Sequence, residues 1–597
     1  MSYSLGVDFG TSTTKISLGL DDGRLIPLRI SKLGDKEFMP SVIAYTKLPN
    51  NKAAVFAVGE DAEDLPPSTD YQVLRDAKRF FEVKENAPRD FPFEDFPWWN
   101  NEQQRVQLWE STFRVEDAVY EILSAALDRA IQRARGLDLL PLMTEDRWEL
   151  LKDWPVRLGC SVSAGIETRR SLHNIARRLG FSSITFGNIY EEPVLASLPY
   201  LDQKLNAGDI MLVYDFGGGT FDTAVVRIDR TGMGDVPAIT VLSADGEPFL
   251  GGSDIDKALA EYLKDEIGRE YFNDDQNTMR DNTALLNEAR IAKEILSDRE
   301  EHTIVMPPYF LDRPGIEVTV TRRQLERVIE GTGILERSKD CVLRAWKKAR
   351  MVYRRAEEVS GEYYLKKDSQ TGTISKFITQ LQFDDLNENV SRILFVGGTT
   401  IIPMLREWIV SVIDSSRFIP EGEQYMPIVA CSLGGASQRE DISSIVDRLP
   451  FSVIIKQGKD MQEMYRAYTP TVSYKVLTDS PKIRPYISDE AFTVSEETST
   501  VSVECISPDG MTIFKQSCPD LLTGRHVLEI NSYGCFSLKG IPLGKSAELH
   551  NPSQHELQIA QWERCLLERE RQIKEEDQRM REKLFGNMWK DHNLEVG

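Results

Sequence analysis

The residues with the most evident chemistry are two aspartates joined by a glycine-rich turn, in segment 213–222 (Val-Tyr-Asp-Phe-Gly-Gly-Gly-Thr-Phe-Asp). Apolar runs precede and follow this segment, so it predicts a β-hairpin whose tight turn contains Gly217, Gly218 and Gly219. Glycine permits a positive φ and a close approach of the backbone to a ligand, and successive N–H groups in such a turn form an anion site. Asp215, at the head of the turn, would hold a hydrated Mg²⁺ beside the phosphates. A plain glycine-rich hairpin with an acidic residue is the alternative.

A second segment near the start of the chain, residues 5–18, has the same order of strand, aspartate, glycine, hydroxyl cluster and strand. Its aspartate is Asp8, its glycine is Gly10, and residues 11–14 offer hydroxyl and N–H donors to phosphate oxygens. Two such hairpins facing each other would hold a polyphosphate and one Mg²⁺ between Asp8 and Asp215. Two copies imply an internal structural duplication, which a single copy would not.

Two shorter motifs add charged groups. Residues 75–81 (Arg-Asp-Ala-Lys-Arg-Phe-Phe) form a cationic helix start that would bring Lys78 to a γ-phosphate, with a surface basic cluster as the alternative. Residues 190–196 contain a Glu-Glu-Pro sequence in which Pro193 can begin a helix at its first turn.

Strand and helix signals alternate between these motifs, which favours an α/β fold. The predicted strands are residues 156–163, 184–189, parts of 304–320, and 393–396. The predicted helices are residues 115–135, 168–179, one that follows the turn at 249–256 and runs towards Ile267, 285–296, much of 323–359, one from Pro403 and one around 432–436. Gly251 and Gly252 allow a close approach at the start of one helix. Gly397 and Gly398 follow the predicted strand at residues 393–396, where they would pack against the base and sugar of a nucleotide or serve as a structural turn.

Composition limits the class of protein. The chain has 597 residues, of which 94 are acidic and 72 basic, for a net charge of -22. At about 150 residues per domain, this length predicts several domains. The acidic charge disfavours nucleic acid as the main partner, because proteins that bind the phosphate backbone are basic on at least one face. The seven cysteines include no Cys-x-x-Cys pair, so neither a structural zinc site nor a disulfide framework is expected.

The sequence also predicts the cellular compartment of the protein. No apolar run reaches the roughly 18–20 residues that a membrane span needs. The first ten residues lack the basic start of a signal peptide. We therefore expect a soluble cytoplasmic protein without a membrane span.

The last third of the chain has a different pattern. Short strand-like runs, separated by turn signals, occur at residues 452–455, 471–477, 499–506, 511–514, 527–530 and 535–538. They predict an antiparallel β-sandwich that binds an extended peptide by added-strand hydrogen bonds, with a β-domain that serves only in assembly as the alternative. Residues 556–584 predict a charged helix with a heptad-like apolar stripe, which would be a lid, a coiled coil or a helix packed on the β-domain.

Together these motifs resemble, over roughly residues 4–440, the nucleotide-binding domain of the seventy-kilodalton heat-shock chaperones, a branch of the actin-like ATPases. The matching segments are residues 8–13 and 215–222 for its two phosphate motifs, 76–79 for its Asp-Ala-Lys-Arg, 191–193 for its Asn-Glu-Pro and 250–254 for its Leu-Gly-Gly-Glu-Asp. Sugar kinases share the two hairpins but usually lack the Asp-Ala-Lys-Arg element.

The resemblance implies a fold and a division of the chain. Residues 1–440 would form an α/β actin-like ATPase domain, a duplicated ribonuclease H-like fold. Residues 441–450 would be a linker, residues 451–550 a β-sandwich that binds peptide, and residues 551–597 a C-terminal helical segment.

The resemblance also implies roles for individual residues. Asp8 and Asp215 would orient a hydrated Mg²⁺, and Lys78 and Glu192 would position the attacking water. Thr11, Ser12 and Thr13 would bind the β- and γ-phosphates, and Thr220, implied to be catalytic like Lys78, Glu192 and Asp215, would lie near the γ-phosphate with Asp222. The other implied nucleotide-binding positions are Gly10, Gly217, Gly218, Gly219, Gly251, Gly252, Lys293, Ser297, Gly397, Gly398 and Thr399. Such a site works by positioning and electrostatics, the usual physics of phosphoryl transfer.

The expected function is an ATP-hydrolysing, chaperone-like switch in which ATP or ADP with Mg²⁺ controls the binding of unfolded peptide or a dedicated client. A co-chaperone or exchange factor would be a further partner. The sequence leaves open a nucleotide-binding scaffold with little hydrolysis, an actin-like filament former and a small-molecule kinase. It also leaves adenine affinity open, because Ile401 replaces an arginine of the family and Glu294 replaces a basic residue that stacks on adenine in many members.

Overall fold

The described part of the chain excludes several segments. The structure, a computed structural model, describes residues 3–65, 70–83, 96, 98–100, 102–103, 105–137, 139, 150–164, 166–182, 184, 188–200, 205–206, 208–231, 236–272, 278–308, 310–312, 315–357, 383–419, 427–437, 445–446, 452–465, 490–495, 501–506, 512–518, 523–530 and 536–539.

Strands and helices alternate through most of the described residues. The strands are β1 (Tyr3–Phe9), β2 (Thr13–Leu20), β3 (Leu25–Pro27), β4 (Met39–Pro40), β5 (Ile43–Lys47), β6 (Ala53–Val58), β7 (Tyr71–Leu74), β8 (Trp99–Asn100), β9 (Arg105–Leu108), β10 (Ser111–Phe113), β11 (Val156–Cys160), β12 (Ile189–Glu191), β13 (Ile210–Phe216), β14 (Phe221–Thr231), β15 (Val236–Glu247), β16 (Glu301–Val305), β17 (Glu317–Thr321), β18 (Arg392–Val396), β19 (Ile445–Val446), β20 (Ser452–Gln457), β21 (Asp460–Tyr465), β22 (Glu490–Val494), β23 (Val501–Ile506), β24 (Thr512–Cys518), β25 (Gly524–Ile530) and β26 (Phe536–Lys539). The helices are α1 (Glu60–Glu63), α2 (Ala77–Val83), α3 (Val115–Gly136), α4 (Ile166–Arg178), α5 (Glu192–Ser197), α6 (Gly252–Ile267), α7 (Thr278–Leu296), α8 (Arg322–Thr332), α9 (Ile334–Glu357), α10 (Phe383–Asn389), α11 (Pro403–Val412) and α12 (Ala430–Ala436).

Two sheets share one arrangement. The first has the strand order β12-β11-β1-β2-β3, with β4 also paired to β2, and the second has the order β18-β13-β14-β15-β19. In each sheet an antiparallel hairpin, β1–β2 or β13–β14, has a parallel neighbour beside its first strand, β11 or β18. Asp8 and Asp215 occupy corresponding positions, one residue before the end of that first strand. The two sheets therefore present equivalent aspartate-led turns.

Three buried cores join the helices to these sheets. One packs the first sheet against α2, α3 and α4, and another packs one face of the second sheet against α6 to α11. The third covers the opposite face of the second sheet with α5 and the start of α12. Leu212 and Tyr214 of β13 belong to the second core, whereas Met211 and Val213 belong to the third. Such alternation is expected of a strand that is buried on both faces.

Helix α12 consists of small residues and contacts both β1 and α5. The Ser4 hydroxyl donates a hydrogen bond to the carbonyl oxygen of Ala436 at 2.7 Å. A Cβ added at Gly6 would overlap the carbonyl oxygen of Ser432 and lie 2.8 Å from the carbonyl carbon of Gly435. Glycine is therefore required at Gly6 by the close approach of the helix to the strand.

Most predicted elements of the first 440 residues are confirmed. The two hairpins and the helices predicted at residues 115–135, 168–179, after the turn at 249–256, 285–296, 323–359, 403 onward and 432–436 all occur, with ends shifted by a few residues. The strand predicted at residues 184–189 is wrong in place, because parallel pairing with β11 sets Ile189 beside Leu158 and Glu191 beside Cys160. The strand predicted at residues 156–163 ends at Cys160.

The strands from residue 452 onward form two antiparallel sheets, β21-β20-β23-β24 and β22-β25-β26. The Tyr465 hydroxyl, on one sheet, donates to the carbonyl oxygen of Leu528 on the other at 2.8 Å. Strands β21 and β22 were not predicted, and β21 has no apolar alternation because its first four residues are exposed. The run predicted at residues 471–477 and the helix predicted at residues 556–584 lie outside the described residues.

Candidate functional site

The turns of the two hairpins close in the same way. In the first, the Gly10 N–H donates to the carbonyl oxygen of Thr13 at 3.1 Å. In the second, the Gly217 N–H donates to the carbonyl oxygen of Thr220 at 3.0 Å. The local sequences, Asp-Phe-Gly-Thr-Ser-Thr and Asp-Phe-Gly-Gly-Gly-Thr, thus produce the same turn twice.

The tips of these turns meet each other. A Cβ added at Gly219 would overlap the Thr11 hydroxyl and lie 2.8 Å from the Thr11 Cβ. A Cβ added at Gly218 would overlap the Ser12 hydroxyl and lie 3.0 Å from the Ser12 Cβ. Neither glycine, nor Gly217, is among the residues with a positive φ. The expectation that the turn uses glycine for a positive φ is therefore wrong: the side chains of one hairpin fill the space that the glycines of the other leave.

The aspartates of the two hairpins have different partners. Asp8 is the register partner of Lys15, with 3.0 Å between Oδ2 and Nζ, whereas Asp215 is the register partner of Asp222. Burial, with the charge of Asp8, raises the pKa of Asp215 to about 7. Burial, with the charge of Asp215, raises the pKa of Asp222 to about 8. The cleft between the hairpins thus concentrates buried carboxyl groups, which favours a bound cation.

These raised pKa values predict a pH dependence of stability without metal or nucleotide. A carboxyl group whose pKa is higher in the folded than in the unfolded state stabilises the fold below its ordinary pKa. That contribution is lost as the pH rises through the folded value, here about 7 for Asp215 and about 8 for Asp222. We expect the melting temperature in EDTA to fall between about pH 5.5 and about pH 8.5.

The control for this effect is Asp222→Asn, which is neutral and retains the side-chain oxygen that accepts the Val162 N–H at 2.9 Å. Its melting temperature should fall less steeply over the same pH range. Equal slopes for the two proteins would contradict the assignment of the effect to Asp222.

Lys78 and Glu192, predicted to act together, are in contact. The Lys78 amine donates to Glu192 Oε1 and lies 3.7 Å from Oε1 of Glu82. Burial alone would lower the pKa of Lys78, but Glu192, Glu82 and Asp8 raise it well above its ordinary value. Lys78 is therefore a buried, permanently charged ammonium at the edge of the cleft. Glu82 was not predicted, although its position four residues after Lys78 on a helix was a usable signal.

Arg79 forms a second contact between the two halves of the cleft and was not predicted as a site residue. Its guanidinium donates to both carboxylate oxygens of Asp254, at 3.0 and 2.6 Å, and to the carbonyl oxygen of Gly219 at 2.8 Å. Asp254 also accepts the Gly251 N–H at 2.8 Å. The guanidinium thus connects α2 to the second turn and to the start of α6.

The carbonyl oxygens of Gly217 and Gly218, in the second turn, accept hydrogen bonds from neighbouring elements. Gly217 O accepts from the Gly252 N–H at 3.1 Å and from the Thr399 hydroxyl at 2.8 Å. Gly218 O accepts from the Ser253 N–H at 2.7 Å. These carbonyls are therefore directed at α6 and at the turn after β18, where they would not repel a phosphate.

The remaining predicted positions lie next to this turn. Lys293 Nζ lies 2.7 Å from Asp256 Oδ1 and donates to the carbonyl oxygen of Gly252 at 3.2 Å. The Ser297 hydroxyl donates to the backbone oxygen of Lys293 and so serves its own helix.

Gly397, the first of the glycine pair after β18, has a steric role. Gly397 has a φ of 83°, and a Cβ there would lie 2.7 Å from Asp215 Oδ1. Gly398 begins a short 3₁₀ helix, Gly398–Ile401, whose last residue is 49 % exposed. The structure thus has an exposed apolar side chain, rather than a cation, at position 401, in the helix that follows Gly397.

A family model matches the part of the chain that contains the second hairpin and the glycine-led helix. The model described as Hsp70 protein matches residues 169–360, which include Glu192, the second hairpin and the start of α6. Over these residues the chain is similar to the Hsp70 family. Members of the Hsp70 family have an actin-like ATPase fold, bind ATP or ADP with Mg²⁺, and in general act as ATP-dependent chaperones on peptides or client proteins. None of the helices in the described part of this chain is long and apolar enough to cross a membrane.

The carboxylates of the cleft between the two turns fit a metal that arrives with a nucleotide. Among the described residues, no cluster of three or more His, Cys, Asp or Glu side chains is arranged to hold a metal ion. Mg²⁺ usually retains several waters and binds through one or two carboxylates plus substrate phosphates. Asp8 and Asp215 supply two such carboxylates.

Proposed function

We propose that this protein is an ATP hydrolase that couples the state of its nucleotide to the binding of a peptide or partner protein. The main support is the meeting of the two turns, in which Thr11 and Ser12 fill the space beside Gly219 and Gly218. Two aspartate-led turns in contact form a cradle for a phosphate chain, and one such turn alone does not.

In this proposal the residues of the cleft position the reactants. Asp8 and Asp215 orient the water shell of the metal, and the N–H groups and hydroxyls of the two turns bind the β- and γ-phosphates. Glu192, held by Lys78, accepts a hydrogen bond from the attacking water, and Lys78 offsets the charge that develops on the γ-phosphate. Mg²⁺ supplies neutralisation of phosphate charge when it is bound.

A coupling to the C-terminal strands is part of the proposal. We divide the chain into an actin-like nucleotide-binding domain (1–440), a linker (441–450), a peptide-binding β-sandwich (451–550) and a helical segment (551–597). The support for coupling is β19, inside the linker, which pairs in parallel with the edge of β15 at Ile239–Ile445 and Thr240–Val446. Two residues of pairing are few enough to separate readily, as a switch requires.

The test is calorimetric titration of the full chain with ATP and ADP in Mg²⁺, followed by single-turnover hydrolysis. We expect both nucleotides to bind and ATP to be cleaved slowly. Binding without cleavage would support the alternative of a nucleotide-binding scaffold with a dedicated partner. Absence of binding would overturn the proposal, and concentration-dependent sedimentation with ATP would indicate a filament former. The same samples would test the proposed chaperone role through release of an unfolded peptide on addition of ATP.

A further inference from the structure

Lys15 is a buried lysine for which neither the motifs nor the proposed mechanism has a use. It lies on β2 opposite Asp8, and its side chain is only 11 % exposed. An ammonium group removed from water costs several kcal/mol unless a partner compensates it. Asp8 is such a partner, but the pair as a whole could be replaced by apolar residues at little cost to stability. A buried lysine at this position therefore calls for an explanation beyond the fold.

The amine of Lys15 lies against the first turn. A Cβ added at Gly10 would be 3.0 Å from Lys15 Nζ, so the amine is in contact with the backbone that carries the proposed phosphate donors. The charge of Lys15 also lowers the pKa of Asp215, against the larger effect of burial. The ammonium is thus close to the aspartates of both hairpins, at the centre of the cleft.

Lys15 and Lys78, two buried lysines of the cleft, differ in their partners. Lys78 is paired with the carboxylates of Glu192 and Glu82. Within the described residues, the ion pair of Lys15 is with Asp8 alone. An ammonium has three N–H donors, so one carboxylate oxygen leaves Lys15 with donors for a second acceptor.

Taking the proposed nucleotide site as its basis, we propose that Lys15 is a phosphate-binding residue that contacts the β- and γ-phosphates and favours triphosphate over diphosphate. A triphosphate carries more negative charge than a diphosphate, so a buried cation in contact with the phosphate chain stabilises ATP more than ADP. Hydrogen bonds between an ammonium and phosphate oxygens are short and strong. Lys15 also reduces the repulsion between the phosphate chain and the carboxyl groups of Asp8 and Asp215.

The test compares the affinities of the full chain for Mg²⁺-ATP and Mg²⁺-ADP by calorimetry. We expect Lys15→Met to weaken ATP binding by about 10- to 100-fold, the size of one hydrogen bond to a charged group. ADP binding should weaken less, so the ratio of the two affinities falls. Lys15→Arg keeps the charge and should retain most of the ratio, and Lys32→Met, at an exposed lysine, should leave it unchanged.

The outcomes separate this proposal from the proposed function. If the unmodified protein binds neither nucleotide, both are overturned. If it binds both and Lys15→Met leaves the ratio of affinities unchanged, whether by no effect or by an equal loss, the phosphate role of Lys15 is overturned and the proposed function stands.

A second pair of variants covers the case in which Lys15→Met fails to fold because Asp8 loses its cation. Asp8→Asn and the double variant Asp8→Asn/Lys15→Met both have a neutral amide at position 8. Neither protein therefore buries a carboxylate there without a cation. Inorganic tripolyphosphate, titrated without metal, should bind more weakly to the double variant. Equal binding to the two proteins would overturn the proposal.

Discussion

Lys78→Met should lower the single-turnover rate of ATP hydrolysis by about 10²- to 10⁴-fold, whereas the nucleotide should still bind. This range is typical for the loss of a group that positions a proton-transfer step. The reason is local: the Lys78 ammonium holds Glu192 at the cleft, and no other lysine pairs with Glu192 among the described residues. Hydrolysis is measured by rapid quench with the protein in excess over ATP, and binding is measured separately by calorimetry.

The control must separate catalysis from folding. Lys78→Met leaves Glu192 and Glu82 without their cation, and breaking a buried ion pair typically costs about 3–5 kcal/mol. The double variant Lys78→Met/Glu192→Gln removes one of those charges and should recover part of the stability without recovering hydrolysis. Lys52→Met, at an exposed lysine, should hydrolyse ATP normally. An unchanged rate in a folded Lys78→Met protein would leave the nucleotide with a structural role only.

Gly219→Ala should weaken nucleotide binding more than tenfold, whereas Gly217→Ala in the same turn should bind almost normally. A Cβ at position 219 would lie 2.8 Å from the Thr11 Cβ and would push the two turns apart. A Cβ at position 217 would lie 3.4 Å from the carbonyl oxygen of Thr220, an ordinary contact. Neither residue has a positive φ, so the two substitutions differ in space and not in backbone strain. Titration with Mg²⁺-ATP measures the difference.

A compensating variant sharpens this test. Thr11→Gly in the Gly219→Ala background removes the side chain that the new methyl group would meet, so part of the thermal stability that Gly219→Ala loses should return. If Gly217→Ala and Gly219→Ala weaken nucleotide binding equally, the glycines are required by the turn itself and not by the contact between the two hairpins.

The local elements of the fold were predictable from the sequence because their signals are local. Apolar runs on both sides of a glycine turn indicate a hairpin, and the apolar period of residues 115–135 indicates a buried helix, and both occur. Strand β21 escaped because an exposed strand needs no apolar alternation. Strand β12 was misplaced because its position depends on pairing with β11, which lies some thirty residues earlier, as in the pair Leu158–Ile189.

The site was predictable in its parts but not in its connections. The motifs identified Lys78 and Glu192 separately, but the hydrogen bond between them joins residues 114 positions apart. Lys15 was overlooked because a lysine on a hairpin strand is normally taken as a solvent-facing residue, and burial is not visible in the sequence. The glycines of the second turn were predicted to serve backbone conformation. Their steric role was missed because Thr11 and Ser12, whose side chains occupy the space beside them, lie far earlier in the sequence.

The packing of α12 on β1 has a consequence for synthesis on the ribosome. The hydrogen bond from Ser4 to Ala436 spans 432 residues, and the one between Ser17 and Ser432 spans 415. At 5–20 residues per second, the first strand waits roughly 20 to 90 s for the helix that covers it. Throughout that time one face of the nascent sheet is uncovered, so the growing chain itself depends on protection from aggregation before α12 emerges.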